Sequence, residues 1–335
     1  MAYKAKKLIL RFLAICFGII LAFFIAEIGL RLVGFEFQLY PSRVEFGYPD
    51  PASIQRLYAP DKDLLWVQKD YAKRLGKLGA NQPAVVFTGC SCTEFGSFPK
   101  ELARQLSERY PDAAFNYLNL GVGGWTTYQG LQQLKRDVVP LKPKVIVVYF
   151  GWNDHWRTFG FADKDIGAYS IKRMNLLLKL SAKSRILQLV NRFLFAVGFH
   201  AETAEQRVSL PDFKQNLLDI VRIAREHGIE PVLVTAPSAH QPGEEPQYLK
   251  RRWLNDLSEL VPLHLSYVQA VREVARDKHV HLVDLYRLFR ELPMDDLRES
   301  FVQDGIHLTE QGSRRVANYL YDYFQQAGLM QDMMQ

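Results

Sequence analysis

The sequence has few cysteines and no tandem repeat that is visible by eye. Only three of its 335 residues are cysteine. Cys16 lies in the apolar N-terminal stretch, and Cys90 and Cys92 are two residues apart, so they do not form the framework of a disulfide-rich protein. A lone Cys-x-Cys pair is also a weak metal motif. We expect these thiols to be small packing residues, with a redox-sensitive or nucleophilic role as the alternative.

The chain also lacks the composition of a disordered or nucleic-acid-binding protein. Hydrophobic residues make up 48% and charged residues 23% of the sequence, which is typical of a globular protein. The formal net charge is +6, but the basic residues are spread along the chain and do not form one stripe interleaved with aromatics. Nucleic-acid binding is therefore disfavoured, and contact with anionic lipid or an acidic glycan is the better use of this charge.

One long hydrophobic run is present, from Leu8 to Leu30, and only Arg11 and Glu27 interrupt it. It is long enough to cross most of a bilayer as a helix. The basic residues before it predict a cytoplasmic N-terminus and a large domain on the outer side. No small-x-small cleavage site follows the run, which favours an uncleaved signal anchor over residues 1–33 rather than a cleaved signal peptide.

The rest of the chain divides into a connector and one domain. Residues 34–83 are rich in aromatics, prolines and turn residues without a sustained period, and we predict a partly ordered connector. From residue 84 to about 330, short β-rich runs alternate with amphipathic helical stretches, which predicts a parallel sheet covered by helices on both faces. The candidate strands are Ala84 to Thr88, Phe115 to Leu120, Lys144 to Phe150, Pro231 to Ala236 and Val280 to Val283.

Polar residues follow three of these strands, at the sheet edge where ligands bind in such folds. Ser91 lies in a turn between Gly89 and Gly96, a second turn contains Gly124, and Asn153 follows the third strand. These residues would supply a nucleophile and donors for an oxyanion. The alternatives are that Ser91 and Thr93 cap the next helix, Phe98 to Arg109, and that Asn153 only stabilises its own turn.

A fourth cluster, Asp304-Gly305-Ile306-His307, precedes an amphipathic helix that starts near Thr309. The three-residue spacing allows the carboxylate to fold back onto one imidazole nitrogen, which leaves the other nitrogen to take a serine proton. The alternative is that Asp304 caps the helix and His307 packs in the loop.

These four ordered blocks resemble those of the SGNH/GDSL hydrolase family, over about residues 84–324. The resemblance implies an α/β fold, a flavodoxin-like three-layer α/β/α sandwich with a parallel sheet, and a reaction without metal or organic cofactor. It implies that Ser91 is the nucleophile, His307 the base and Asp304 its orienting acid. The oxyanion donors would be the backbone N–H groups of Ser91 and Gly124 and the amide of Asn153. One departure is that Cys90 replaces the aspartate of the usual Gly-Asp-Ser, which bears on the turn more than on the triad.

Residues 155–210, between the third and fourth strands, are longer than an ordinary crossover requires. Met174 to Leu180 and Ile186 to Phe199 are predicted to be apolar helices. They would form a lid over the pocket, rest against the membrane, or pack as extra helices on the domain. His155 and Trp156 are candidate pocket residues, although His155 is equally consistent with an incidental surface position.

The sequence therefore predicts a membrane-anchored serine ester hydrolase or O-acyltransferase on the outer, cell-envelope side. Fold-level analogy makes acetylated polysaccharide or lipid esters the candidate substrates. The sequence does not identify a protein partner. The alternatives are a non-catalytic envelope scaffold that binds glycan or protein, and thiol catalysis by Cys90 or Cys92.

Overall fold

In the computed structural model of the protein, the described residues include seven strands, which form two sheets. The structure describes residues 2–36, 56–79, 82–111, 115–157, 162–165, 180, 183–198, 206–249, 254 and 256–334. The strands are β1 (Tyr58–Asp61), β2 (Leu65–Gln68), β3 (Val85–Gly89), β4 (Tyr117–Asn119), β5 (Val145–Tyr149), β6 (Glu230–Val234) and β7 (His281–Val283). β1 and β2 pair as an antiparallel hairpin. The other five strands pair in parallel in the order β4-β3-β5-β6-β7.

The parallel sheet forms the centre of the core because its middle strands are apolar on both faces. Every residue of β3 and β5 is buried, as expected of strands covered by helices on both sides. Val85 is in register with Tyr117 of β4 and with Val145 of β5. All five strands predicted from the sequence are present, and their ends differ from the predicted ones by at most two residues.

Two groups of helices flank the sheet. Among the described residues, the α-helices of four or more residues are α1 (Ala2–Leu32), α2 (Tyr71–Leu75), α3 (Ser91–Glu94), α4 (Phe98–Arg109), α5 (Thr127–Gln133), α6 (Arg185–Gly198), α7 (Leu210–Glu226), α8 (Leu260–Lys278), α9 (Leu285–Arg290), α10 (Met294–Glu299), α11 (Glu310–Gln326) and α12 (Leu329–Met334). A π-helical turn, Leu134–Val138, follows α5. Helix α4 packs against α11, whereas α7 packs against α5 and α8. This is the predicted α/β class, with helices on both sides of a parallel sheet.

The N-terminal helix is the one helix among the described residues that is long and apolar enough to cross a membrane, over Ile9–Leu32. Near its end, the carboxylate of Glu27 accepts hydrogen bonds from the backbone N–H groups of Arg185 (3.0 Å) and Ile186 (3.1 Å) at the start of α6. The end of α1 is therefore joined to the second helix expected in residues 155–210. The first helix expected there lies, except for Leu180, outside the described residues.

Residues 56–79 belong to the stretch that the sequence assigned to a connector, and they form the β1–β2 hairpin and α2. Their side chains reach the core: Leu64, Leu65 and Trp66 are at most 3% exposed. Apolar burial of this kind is the main stabilising contribution in folding. The hairpin is therefore packed on the domain, and its position next to the glycine turn around Gly124 matters for the site described below.

Candidate active site

Ser91 lies at the carboxyl end of β3, as the first residue of the short helix α3. Its turn requires glycine at position 89, because a Cβ there would lie 2.1 Å from Thr93 Oγ1 and 2.6 Å from the Tyr149 carbonyl oxygen. The cap of α4 is Ser97, so neither Ser91 nor Thr93 caps that helix. The serine hydroxyl is left for another partner, and the residue is only 2% exposed.

That partner is the imidazole of His307. His307 Nε2 lies 2.7 Å from Ser91 Oγ, and His307 Nδ1 lies 2.7 Å from Asp304 Oδ2. Residues 216 positions apart in sequence therefore form a hydroxyl–imidazole–carboxylate chain. This is the geometry in which an imidazole takes a proton from a hydroxyl while the carboxylate holds the ring.

Backbone hydrogen bonds hold Asp304 in its charged form. Its Oδ1 accepts the backbone N–H groups of Ile306 (2.8 Å) and His307 (2.9 Å). Burial raises the pKa of Asp304, but hydrogen bonds from the His307 ring and from these two N–H groups outweigh it, so that the pKa lies below its ordinary value. The cap of α11 is Thr309, so Asp304 serves the imidazole and not the helix.

The loop that carries Asp304 and His307 rests on the residues that follow β6. His240 Nε2 lies 2.8 Å from the Asp304 carbonyl oxygen, and the Ala239 N–H donates to the Gly305 carbonyl oxygen (3.0 Å). Gly305 has φ +70°, and a Cβ there would lie 2.8 Å from the His240 ring. The close approach therefore requires glycine between the acid and the base.

Gly124 and Asn153 also lie near this edge of the sheet. Gly124 has φ +79°, and its N–H donates to no acceptor among the described residues. Asn153 Nδ2 donates to the Trp125 carbonyl oxygen (3.0 Å), so the amide does not bond its own turn. One of its two amide protons remains available for another acceptor. The amide of Asn153, in the turn after β5, thus contacts Trp125, the residue that follows Gly124 in the turn after β4.

A buried ion pair fixes the carbonyl side of Gly124. Arg207 donates to the Gly124 carbonyl oxygen (2.7 Å) and makes a two-pronged contact with Asp163, at 3.1 Å and 2.7 Å. Both side chains are fully buried. Neither residue could be assigned to the site from the sequence, since no motif marks them and charged residues are seldom buried unless paired.

Asp154, next to Asn153, ties the turn after β5 to the start of α5. Its carboxylate accepts the Thr127 N–H (2.8 Å), the Thr127 hydroxyl (2.6 Å) and the Gly151 N–H (3.1 Å). Burial raises the pKa of Asp154 to about 6 in spite of these donors. These hydrogen bonds of Asp154 fix the backbone of the turn that contains Asn153.

His155 is a buried structural residue and not an incidental surface residue. It is 1% exposed, and its Nε2 lies 3.1 Å from Nδ1 of His264, whose Nε2 lies 2.9 Å from the Ala236 carbonyl oxygen. With both rings neutral, these contacts place the proton on Nε2 of each ring, so that His264 donates to the Ala236 carbonyl oxygen and His155 donates to His264 Nδ1. Burial lowers the pKa of His264 to about 3 and that of His155 well below its ordinary value.

The two cysteines that flank Ser91 are buried, at 1% and 2% exposure. Cys92 Sγ lies 3.8 Å from the Ile306 carbonyl oxygen. A hydrogen bond with Cys90 and burial both raise the pKa of the Cys92 thiol, which opposes formation of a thiolate at Cys92. The same hydrogen bond lowers the pKa of the Cys90 thiol, against the effect of its burial. The His307 ring nitrogen lies against the serine hydroxyl, an arrangement that favours oxygen over sulfur as the nucleophile.

Within the described ranges, no group of three His, Cys, Asp or Glu side chains is placed to hold a metal ion.

Comparisons with known proteins identify the family of the chain. A sequence profile of the GDSL-like lipase/acylhydrolase family matches residues 79–315. An uncharacterized lipoprotein of Bacillus subtilis is 25% identical over 227 residues, which cover 61% of this chain and 72% of the relative.

Among solved structures, the chain is similar to a GDSL-like lipase from Bacteroides thetaiotaomicron, with 18% identity and a TM-score of 0.48. The match covers 77% of this chain and 97% of the lipase chain. The chain is also similar to an acetylxylan esterase from Geobacillus stearothermophilus, with 15% identity, 74% and 95% covered, and a TM-score of 0.47. Because the family profile spans well over half of the chain, the protein belongs to the GDSL-like lipase/acylhydrolase family of ester-hydrolysing enzymes.

Proposed function

We propose that the protein cleaves esters through a Ser91-His307-Asp304 triad. The observation that carries the proposal is the continuous chain of contacts, 2.7 Å from hydroxyl to imidazole and 2.7 Å from imidazole to carboxylate. Ser91 Oγ attacks the ester carbonyl while His307 Nε2 takes its proton. Asp304, charged and held by backbone N–H groups, stabilises the imidazolium that forms.

The negative charge that develops on the carbonyl oxygen needs donors in place before the reaction. We assign this role to the N–H groups of Ser91 and Gly124 and to the second amide proton of Asn153. Collapse of the intermediate breaks the ester C–O bond, and the imidazolium returns its proton to the leaving alcohol. Water, or a sugar hydroxyl in an acyl transfer, then attacks the acyl-serine carbonyl while His307 Nε2 takes its proton. Collapse of this second intermediate breaks the bond between the acyl carbon and Ser91 Oγ, the acyl group leaves as the acid or the new ester, and His307 returns the proton to Ser91 Oγ.

The acyl group of the substrate is short in this proposal. Ser91 is 2% exposed, Asn153 1% and His307 9%, so little space adjoins the nucleophile and the oxyanion donors. An acetyl group needs the least room of the common acyl groups of the cell envelope. We therefore propose O-acetyl esters of envelope carbohydrate or lipid as substrates, with the alcohol portion outside the enclosed part of the site.

The proposed location is the outer face of a membrane, with helix α1 as the anchor. Its apolar side chains are exposed in the structure, Phe12 at 65% for example, and such a helix requires a partner such as lipid. The basic residues before the span favour a cytoplasmic N-terminus. The description of the Bacillus subtilis relative as a lipoprotein is consistent with membrane attachment. If protease added to intact or outer-permeabilised cells digests the domain, the result would support a location on the outer face of the membrane. If the domain resists this protease, the result would contradict that location.

The test of the chemistry is labelling with a fluorophosphonate, which forms a stable bond to an activated serine. Labelling is expected for the full-length protein and not for Ser91→Ala. The matched control is Ser97→Ala, the same change six positions away. Ser97 makes no side-chain cap bond, so the Ser97→Ala protein should be labelled at Ser91 as the wild type is.

Two other outcomes separate the alternatives. Absence of labelling and of ester turnover in folded protein would favour a non-catalytic scaffold. Activity in Ser91→Ala that alkylation abolishes would favour a cysteine nucleophile. A panel of p-nitrophenyl esters with acetyl to dodecanoyl groups tests the acyl length, and faster turnover of the long chains would contradict the acetyl proposal.

A further inference from the structure

We propose that Trp66, in the hairpin that precedes the family domain, is a positioning residue that aims the Gly124 N–H at the substrate oxyanion. The proposal rests on the proposed esterase reaction and adds a residue to its machinery. It assigns a function to a stretch that the family profile, which begins at residue 79, does not include.

The contact that carries the proposal lies in one peptide unit. Trp66 Nε1 donates to the Gly123 carbonyl oxygen at 2.9 Å. That carbonyl and the Gly124 N–H belong to the same planar group. An anchor on the carbonyl therefore fixes the direction in which the N–H points. The anchor is needed because both flanking residues are glycines, whose backbone is otherwise free to rotate.

The neighbouring groups of the turn are held in the same way. The Val122 N–H donates to the Gly89 carbonyl oxygen (3.0 Å), the Gly123 N–H donates to the Glu94 carboxylate, and the Gly124 carbonyl accepts from Arg207. The Gly124 N–H is the group left without an acceptor among the described residues. A turn whose other groups are engaged presents one N–H in a fixed direction, which is what a preorganised oxyanion donor requires.

A second hairpin side chain supports the same turn. Gln68 Nε2 donates to the Gly121 carbonyl oxygen at 2.9 Å, and Gln68 is 4% exposed. In return, Trp125 Nε1 donates to the Trp66 carbonyl oxygen at 2.9 Å. The strand β2 and the glycine turn are thus joined by bonds in both directions.

The hairpin is itself built to hold Trp66 in place. Leu65, directly before it, is fully buried with φ +67°, a conformation that a leucine adopts at an energetic cost. Asp61 Oδ1 accepts the N–H groups of Asp63 and Leu64 (2.9 Å each) and so fixes the tight turn between the strands. Strain kept at a buried position beside a catalytic turn agrees with a positioning role for the residue that follows.

The experiment compares Trp66→Phe with the wild-type protein in full-length form. The change keeps an aromatic ring and the backbone but removes the N–H that holds the Gly123 carbonyl. We expect kcat to fall about tenfold, less than the hundredfold or more for loss of an oxyanion donor itself. KM should stay within about twofold, since the donor acts mainly in the transition state. The rate of fluorophosphonate labelling should fall with kcat.

Tyr267→Phe is the matched control. It also removes one buried aromatic donor to a backbone carbonyl, Tyr267 Oη to Val208 at 2.6 Å, and that acceptor belongs to neither the hairpin nor the glycine turn. If kcat falls equally in both variants, or in neither, Trp66 has only a structural role and the proposal is wrong. The pH midpoint of kcat should not change in Trp66→Phe, because the hydrogen bond that this change removes ends on the Gly123 carbonyl oxygen, which does not titrate.

Two further comparisons separate failure of the Trp66 proposal from misfolding of the variant and from failure of the esterase proposal. If Trp66→Phe does not fold, replacement of Trp66 by 3-benzothienylalanine, which keeps the bicyclic shape and has sulfur in place of the N–H, gives the same comparison. Wild-type kcat in that protein overturns the proposal. If wild-type protein is neither labelled nor active, the esterase proposal itself fails. Active wild type, inactive Ser91→Ala and unchanged Trp66→Phe contradict only the role of Trp66.

Discussion

The replacement Asp304→Asn tests the triad at one hydrogen bond. The side chain keeps its shape, and its two ends face different partners: Oδ1 accepts two backbone N–H groups, and Oδ2 lies 2.7 Å from His307 Nδ1. The asparagine oxygen must take the position of Oδ1, because an NH₂ group there would face two N–H donors. The NH₂ group is then placed against His307 Nδ1.

This arrangement forces the wrong tautomer on the imidazole. An NH₂ group that donates to Nδ1 leaves the proton on Nε2, which faces Ser91 Oγ at 2.7 Å. A protonated Nε2 cannot accept the serine proton. The equivalent change in other triads lowers kcat by about ten-thousandfold, which corresponds to about 5 kcal/mol in the activation free energy.

The assay is kcat/KM with p-nitrophenyl acetate, together with ¹⁵N chemical shifts of the histidine rings, assigned with His307→Gln. The shifts should show that the ring proton of His307 is on Nδ1 in the wild type and on Nε2 in Asp304→Asn. Asp304→Ala is the control for stability, because it leaves the N–H groups of Ile306 and His307 without their acceptor and should lower Tm more than Asp304→Asn. An Asp304→Asn protein that keeps more than about a tenth of wild-type activity would refute the proposed role of the contact.

Three further results are expected from the same structure. Asn153→Ala should lower kcat about a hundredfold with little change in KM, as measured with p-nitrophenyl acetate, because an oxyanion donor is lost; an equal rise in KM would contradict this. Arg207→Met should lower the free energy of unfolding in urea by about 3–5 kcal/mol, because Asp163 is left charged and buried, and Arg207→Met with Asp163→Leu should recover most of that loss. His264 has its ordinary pKa in the unfolded chain, but burial lowers its pKa to about 3 in the folded protein. The contribution of the neutral ring to stability should therefore be complete above the unfolded pKa and decrease as the pH falls below it. His264→Gln should show a shallower decrease in unfolding free energy between about pH 7 and pH 5.

The parts of the site that could be predicted from the sequence are those fixed by short-range order. Ser91 and Asn153 directly follow strands of apolar residues, and the carboxyl ends of parallel strands share one edge of the sheet. Helix α4 was predicted with its observed bounds, Phe98 to Arg109, because a proline near its start and an amphipathic pattern mark it clearly. The family resemblance then placed His307 near Ser91 although 216 positions separate them.

The parts that could not be predicted depend on contacts between remote side chains. The β1–β2 hairpin has strands of four residues each, too short for a periodic signal, and prolines around it indicate loop. The buried pair of Arg207 and Asp163 resembles any two surface charges until the fold places both at 0% exposure. The His155–His264 contact joins a turn to a helix 109 positions later. In each case tertiary packing, and not local preference, decides the environment of the side chain.

Cys90, in place of the aspartate usual in this family, is compatible with catalysis because the backbone builds the turn. Cys90 precedes α3, with φ −91° and ψ −156°, and its side chain makes no cap bond. Its carbonyl oxygen instead accepts the N–H groups of Thr93 (3.0 Å) and Glu94 (2.9 Å). An aspartate would add a side-chain acceptor at the helix start, worth about 1 kcal/mol. That contribution bears on stability, whereas the position of Ser91 depends on Gly89 and on these backbone bonds, and both are present.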